Sequence, residues 1–137
     1  MPNPNASHAG ISSADPAVRR AVAWLQARQN ADGGWGESND SYEPGRAAER
    51  VAASTPHHTA WALLGLLAAG EVEAEAVRRG VEYLLRTQQA DGLWSDPSFT
   101  APGFPRVFYL RYHGYCAYFP LWALAAYRGR LRPGTLH

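Results

Sequence analysis

The chain has 137 residues, 46% of them hydrophobic and 18% charged, with a formal net charge of +1. That length suits one modest domain with a real core, and that balance sets it apart from disordered and coiled-coil chains. The arginines are scattered through helical stretches instead of forming a basic run with interleaved aromatics, which excludes nucleic acid as a partner. The single cysteine, Cys116, excludes an internal disulfide framework and a cysteine-based zinc site.

The opening MPNPNASHAGISSADP has no basic region followed by an apolar stretch, so it does not read as a secretory signal. A protein that is not secreted and lies in a reducing compartment is expected. Residues 1–8 read as a disordered tail, 9–130 as the folded unit and 131–137 as a second tail.

The first helix opens on Asp15 and Pro16, an N-cap followed by a first-turn proline. Val18, Val22 and Leu25 fall at i, i+4 and i+7, the stripe of an amphipathic helix, and arginines occupy the other face. The NADGG run should stop it near Gln29. Ser54 or Thr55 with Pro56 opens a second helix, in which TAWALLGLLAAG is apolar on every side and so must be buried. From Thr59 to Gly70 that run is far short of the ~20 residues that span a bilayer.

The third helix repeats the first. Residues 17–35 read AVRRAVAWLQARQNADGGW and residues 76–94 read AVRRGVEYLLRTQQADGLW, without a gap. Gln29 aligns with Gln88 and Trp35 with Trp94, a constant offset of 59. Val77, Val81 and Leu84 renew the stripe, and the ADG run should end the helix near Gln88. FPLWALAAY, from Phe119 to Tyr127 with Pro120 in its first turn, reads as a second buried helix. The order amphipathic, buried, amphipathic, buried predicts an all-α fold, a partial α/α barrel of about four main helices with long loops after each Gln…Trp element. Repeat folds need about three units to bury a continuous core, so two should leave an open face.

Half of the sixteen aromatic residues lie between Phe99 and Phe119. They form either a packing cluster or a pocket whose ring faces stabilise a cation, an interaction that reaches ~2 kcal/mol or more when desolvated. His57 and His58 stand side by side at a helix start, and the other candidates His113 and Cys116 are far away in sequence. They read as a packed or solvent-facing pair, and no metal or cofactor is expected.

The pattern Arg20, Ala21, Trp24, Leu25, Gln29, Gly33, Trp35, renewed as Arg79, Gly80, Tyr83, Leu84, Gln88, Gly92, Trp94, resembles the QW repeat of triterpene cyclases. GGWGES, SYE, ASTP, TAWALLGLLAAG and GFPRVFYLRYHGY…FPLWALAAYR are similar to the C-terminal end of squalene-hopene cyclases, over roughly residues 9–129. The resemblance implies that Gln29, Trp35, Gln88 and Trp94 are structural clamps, the Gln stacking on the Trp ring and bonding one outer helix to the next. It implies that Phe104, Phe108, Tyr112 and Tyr115 line a cavity in which squalene cyclises through carbocations. It further implies a peripheral, monotopic contact with the cytoplasmic side of a membrane.

The family's proton donor comes from a DxDD motif, and no DxDD occurs in this sequence. Asp32 and Asp91 sit in Gln…Trp turns, where Asp favours the local backbone geometry, and Asp40 and Asp96 sit in loops. No catalytic acid is therefore assigned. The expected function is a C-terminal fragment of a squalene-hopene type cyclase, inactive alone; a variant of this reading has it complement an N-terminal fragment that carries DxDD. The alternative is a non-catalytic α/α repeat module that binds a lipid or a protein partner.

Overall fold

The computed structural model describes residues 11–37, 52–95 and 115–131. Within them lie four helices, α1 (Pro16–Ala27), α2 (Pro56–Ala68), α3 (Glu75–Thr87) and α4 (Tyr115–Leu131). Phe104, Phe108 and Tyr112, the tails at 1–8 and 132–137, and the side chains of Tyr115 and Cys116 lie outside the described residues. The architecture is all-α, a partial α/α toroid.

Each start signal acts as its chemistry dictates. The Asp15 carboxylate accepts from the Ala17 N–H at 2.8 Å, and Pro16 supplies a fixed φ where no N–H is needed. Thr55 is extended and its hydroxyl accepts from the His58 N–H at 3.2 Å, again followed by a proline. α3 has no side-chain cap and relies on Glu75 in its first turn, where a carboxylate suits the positive end of the helix dipole. Arg78, bonded to Glu75 and coulombically favourable to it, holds that exposed carboxyl below its ordinary range.

α2 ends on Gly70 at φ 87°. The Gly70 N–H donates to the Leu67 carbonyl at 3.0 Å and the Glu71 N–H to the Leu66 carbonyl at 3.0 Å, the paired closure of a Schellman motif. Arg19 of α1 grips the same corner, its guanidinium donating to the Ala69 carbonyl at 3.0 Å and to the Glu71 carboxylate. Arg130 of α4 donates to the Leu67 carbonyl at 3.0 Å, so α1 and α4 both anchor where α2 closes.

The core forms around α2, which packs against all three other helices. Ala60, Leu63, Leu66 and Leu67 of α2 bury themselves among Val22 of α1, Val77, Val81 and Leu84 of α3, and Ala123 of α4. α1 is the least buried: Val22 alone is fully enclosed, while Val18 and Leu25 pack partly against the cluster.

Two expectations need correction. α4 starts at Tyr115 instead of Phe119, so Pro120 lies inside it and has no N–H to give to the carbonyl one turn back. The Pro120 ring is itself among the least exposed side chains of the described residues. The inner helices are also not enclosed on every side. Trp61 of α2 is 39% exposed, and Tyr118, Leu121 and Trp122 of α4 are 63%, 63% and 50% exposed.

Leu66 and Leu85 test the placement of the core. Leu66→Ala should lower unfolding stability by about 2–5 kcal/mol, because its site is closed on all sides. Leu85→Ala, at 56% exposure, should change it by about 0.5 kcal/mol or less in the same urea titration.

Candidate functional site

The first Gln–Trp element is a tight loop between α1 and the start of α2. The Asn30 N–H donates to the Gly34 carbonyl at 2.9 Å, and Asp32 accepts from the Gly34 N–H at 2.9 Å and the Ser54 hydroxyl at 2.6 Å. The Trp35 indole N–H donates back to the Leu25 carbonyl at 2.7 Å, which satisfies an end carbonyl of α1. Trp35 then joins α2: its N–H donates to the Thr59 hydroxyl at 3.0 Å, and its carbonyl accepts from the Thr55 N–H at 2.9 Å.

Gln29 and Arg79 bind this loop to α3. The Gln29 amide nitrogen donates to the Gly33 carbonyl and to the Ala76 carbonyl, each at 2.8 Å, and its oxygen accepts from Arg79 at 3.3 Å. Arg79 also donates to the Asn30 and Ala31 carbonyls at 3.3 and 2.9 Å, and Arg86 donates to the Asp32 carbonyl at 2.8 Å. Bonds from a guanidinium are roughly twice as strong as neutral ones.

The second loop has the same internal geometry. Gln88 donates to the Gly92 carbonyl at 2.8 Å, the Trp94 indole donates to the Leu84 carbonyl at 2.8 Å, and Asp91 accepts from the Leu93 N–H at 3.0 Å. Asp32 and Asp91 are thus engaged as acceptors within their turns. Sequence reasoning gave Arg79 no role. Its signal was legible only in part, since Arg20 and Arg79 align in the repeat but the three acceptors lie about 50 residues away along the chain.

A row of rings joins the first turns of α2 to α4. His57 and His58 are 4.1 Å apart at their centroids, and Trp61 meets them edge-on at 5.1 and 5.5 Å. Trp61 in turn meets Phe119 at 5.4 Å, Phe119 meets Trp122 at 6.1 Å, and Tyr118 touches both at 5.3 and 5.9 Å. His57 is buried beneath this row, whereas Trp61, Tyr118 and Trp122 carry ring surface to the outside. Trp61 and Trp122 went unassigned in the sequence, although one tryptophan in each inner helix was the available signal. Among the described residues no three His, Cys, Asp or Glu side chains converge as metal ligands, and no helix is long and apolar enough to cross a membrane.

Alternating outer and inner helices, locked by Gln–Trp loops at a fixed spacing, define an α/α-toroid repeat protein. The chain belongs to the squalene-hopene cyclase C-terminal domain family, whose sequence model matches residues 5–129. It is 58% identical over 120 residues to the squalene-hopene cyclase of Bradyrhizobium diazoefficiens, covering 88% of this chain and 18% of that protein. It is 55% identical over 112 residues to the squalene-hopene cyclase of Zymomonas mobilis, covering 82% and 17%. It is 45% identical over 132 residues to the dammaradiene synthase of Dryopteris crassirhizoma, covering 87% and 19%. The chain spans less than a fifth of the length of these relatives.

Two glycines separate the loop's local strain from its docking. Gly33 has φ 91°, and a Cβ there would stand 2.5 Å from the Arg79 carbonyl oxygen; Gly70 has φ 87° with nothing within 4 Å. Gly70→Ala should lower stability by about 1–2 kcal/mol, the conformational cost alone. Gly33→Ala should lower it further, because the loop must also leave α3, and thermal unfolding of both variants measures the difference.

Proposed function

We propose that this polypeptide supplies the C-terminal wall of a triterpene-cyclising cavity and does not start the reaction itself. Protonation of an isolated alkene needs a strong, neutral carboxylic acid, and the family takes it from DxDD, a motif that these 137 residues do not contain. That observation carries the reading. Ring faces stabilise charge only after an acid has generated it.

In this reading Phe104, Phe108, Tyr112 and Tyr115 face the substrate, and the rings of Trp61, Phe119 and Trp122, which meet one another between α2 and α4, offer further faces. Several faces suit a cascade in which positive charge migrates as each ring closes, since a cation over a desolvated ring gains about 2 kcal/mol or more. The substrate is squalene or a related polyene. The acid comes from a stretch of polypeptide that bears DxDD, and the assembled enzyme lies peripherally on the cytoplasmic side of a membrane.

Purified 137-residue chain incubated with squalene should yield no hopene or hopanol, as read by gas chromatography. Added polypeptide carrying the DxDD part of a cyclase should restore product. Turnover by the chain alone contradicts the reading.

A second reading is favoured by one observation, the exposure of Tyr118, Leu121 and Trp122 on α4. A patch of that kind marks an interaction surface, and a non-catalytic module would use it to hold a lipid or a protein. Co-sedimentation with phosphatidylcholine vesicles, lost in Trp122→Ala, together with no product when the DxDD part of a cyclase is added, would support it over the cyclase reading.

A further inference from the structure

The repeated turn carries the same dipeptide twice, Asp32–Gly33 and Asp91–Gly92. At each, the carboxylate accepts from the N–H two residues on, that of Gly34 at 2.9 Å and that of Leu93 at 3.0 Å, which folds the carboxyl back over the glycine peptide in between. The glycines have φ 91° and 85° and no Cβ to shield their nitrogens. Both aspartates are exposed, so water reaches them.

Those are the conditions for a rearrangement of the backbone. The glycine nitrogen attacks the carbon of the protonated side-chain carboxyl. The N–Cγ bond forms, the bond from Cγ to the hydroxyl breaks, and the hydroxyl leaves as water with the proton of the nitrogen, closing a cyclic imide. Water then adds to one of the two imide carbonyls. Cleavage between the nitrogen and the side-chain carbonyl restores aspartate. Cleavage between the nitrogen and the main-chain carbonyl leaves isoaspartate, whose backbone runs through the side chain and is longer by a methylene. One water leaves and one returns, and nothing is oxidised or reduced.

Both turns share one brake, because the glycine N–H must first release a carbonyl, Asn30 at 3.0 Å or Gln89 at 2.9 Å. Two further bonds act on the first turn. The Ser54 hydroxyl donates to the Asp32 carboxylate at 2.6 Å and pins the group that must swing as the ring closes. Arg86 donates to the Asp32 main-chain carbonyl at 2.8 Å and resists rotation of the peptide plane that the attack requires.

We infer that both Asp–Gly bonds are sites of spontaneous conversion to isoaspartate, and that Ser54 and Arg86 hold the reaction back at Asp32. The guarded site is the one where conversion does most damage. Gly33 lies so close to α3 that a Cβ would stand 2.5 Å from the Arg79 carbonyl oxygen, and Arg79 grips the Asn30 and Ala31 carbonyls just before it. A longer backbone there has no room, so the loop would have to leave α3.

The full chain, held for weeks at physiological temperature and neutral pH, tests this. Isoaspartyl methyltransferase with labelled S-adenosylmethionine counts the total isoaspartate, and peptide mapping with electron-transfer fragmentation assigns it to a position. In the parent, Asp91 should convert faster than Asp32. Ser54→Ala should raise the Asp32 rate roughly two- to tenfold, the effect on a barrier of losing one ordinary hydrogen bond. Arg86→Ala should raise it roughly tenfold or more, since that bond has a charged donor. In both variants Asp91 should keep its parental rate, so it serves as a reference inside the same molecule. A parent that forms no isoaspartate at either position overturns the inference, as does one in which Asp32 converts as fast as Asp91. So does an Asp32 rate that neither variant changes. A rise at Asp32 and Asp91 alike also overturns it, because the substitutions would then have loosened the whole fold instead of removing a local hold.

Discussion

A helix ends by stranding carbonyls, and in this chain two side chains gather those that follow α1. Gln29 and Arg79 between them engage the carbonyls of Gly33, Asn30, Ala31 and Ala76 and also bond to one another. These bonds tie the loop to α3 across nearly 50 residues of sequence. The position of α3 against α1 follows from this clamp, because the apolar stripes of those helices would tolerate sliding and the bonds do not. Directional bonds set register here, whereas burial of area drives collapse without choosing one arrangement.

The clamp and the core meet at Trp35. Its indole closes α1, its backbone pairs with Thr55 and Thr59 at the head of α2, and its ring lies against Gly80 of α3. One residue thus touches three helices and leaves no space for a Cβ at position 80. α2 needs such a seat, since a helix with apolar side chains around most of its circumference has no preferred orientation of its own. Its closing turn is fixed in the same manner, by Arg19 and Arg130 reaching from α1 and α4.

Much of this was legible in the sequence, and the exceptions share a cause. The valine and leucine stripes, the Asp15 and Thr55 caps and the 59-residue period are local signals, and α1, α2 and α3 stand where those signals put them. The start of α4 was misread because a proline usually marks a first turn; here it lies inside the helix, with its ring buried. The exposure of Tyr118, Leu121 and Trp122 was unreadable from composition, since FPLWALAAY reports only that a helix is apolar and not how many neighbours surround it. Arg79 was given no role of its own for the opposite reason: only long-range geometry turns a charged residue on an amphipathic helix into a clamp. The family likeness was what proposed Phe104, Phe108, Tyr112 and Tyr115 as cavity residues, since the sequence by itself offered a packing cluster as readily.

The central claim is that Gln29 and Arg79 act as one unit that couples the two repeats. A double-mutant cycle of Gln29→Ala and Arg79→Ala, followed by urea unfolding, measures that coupling directly. The account predicts single losses that fail to add, with an interaction energy of about 0.5–3 kcal/mol. Additivity to within about 0.3 kcal/mol would contradict it, because the two residues would then be gripping the loop independently.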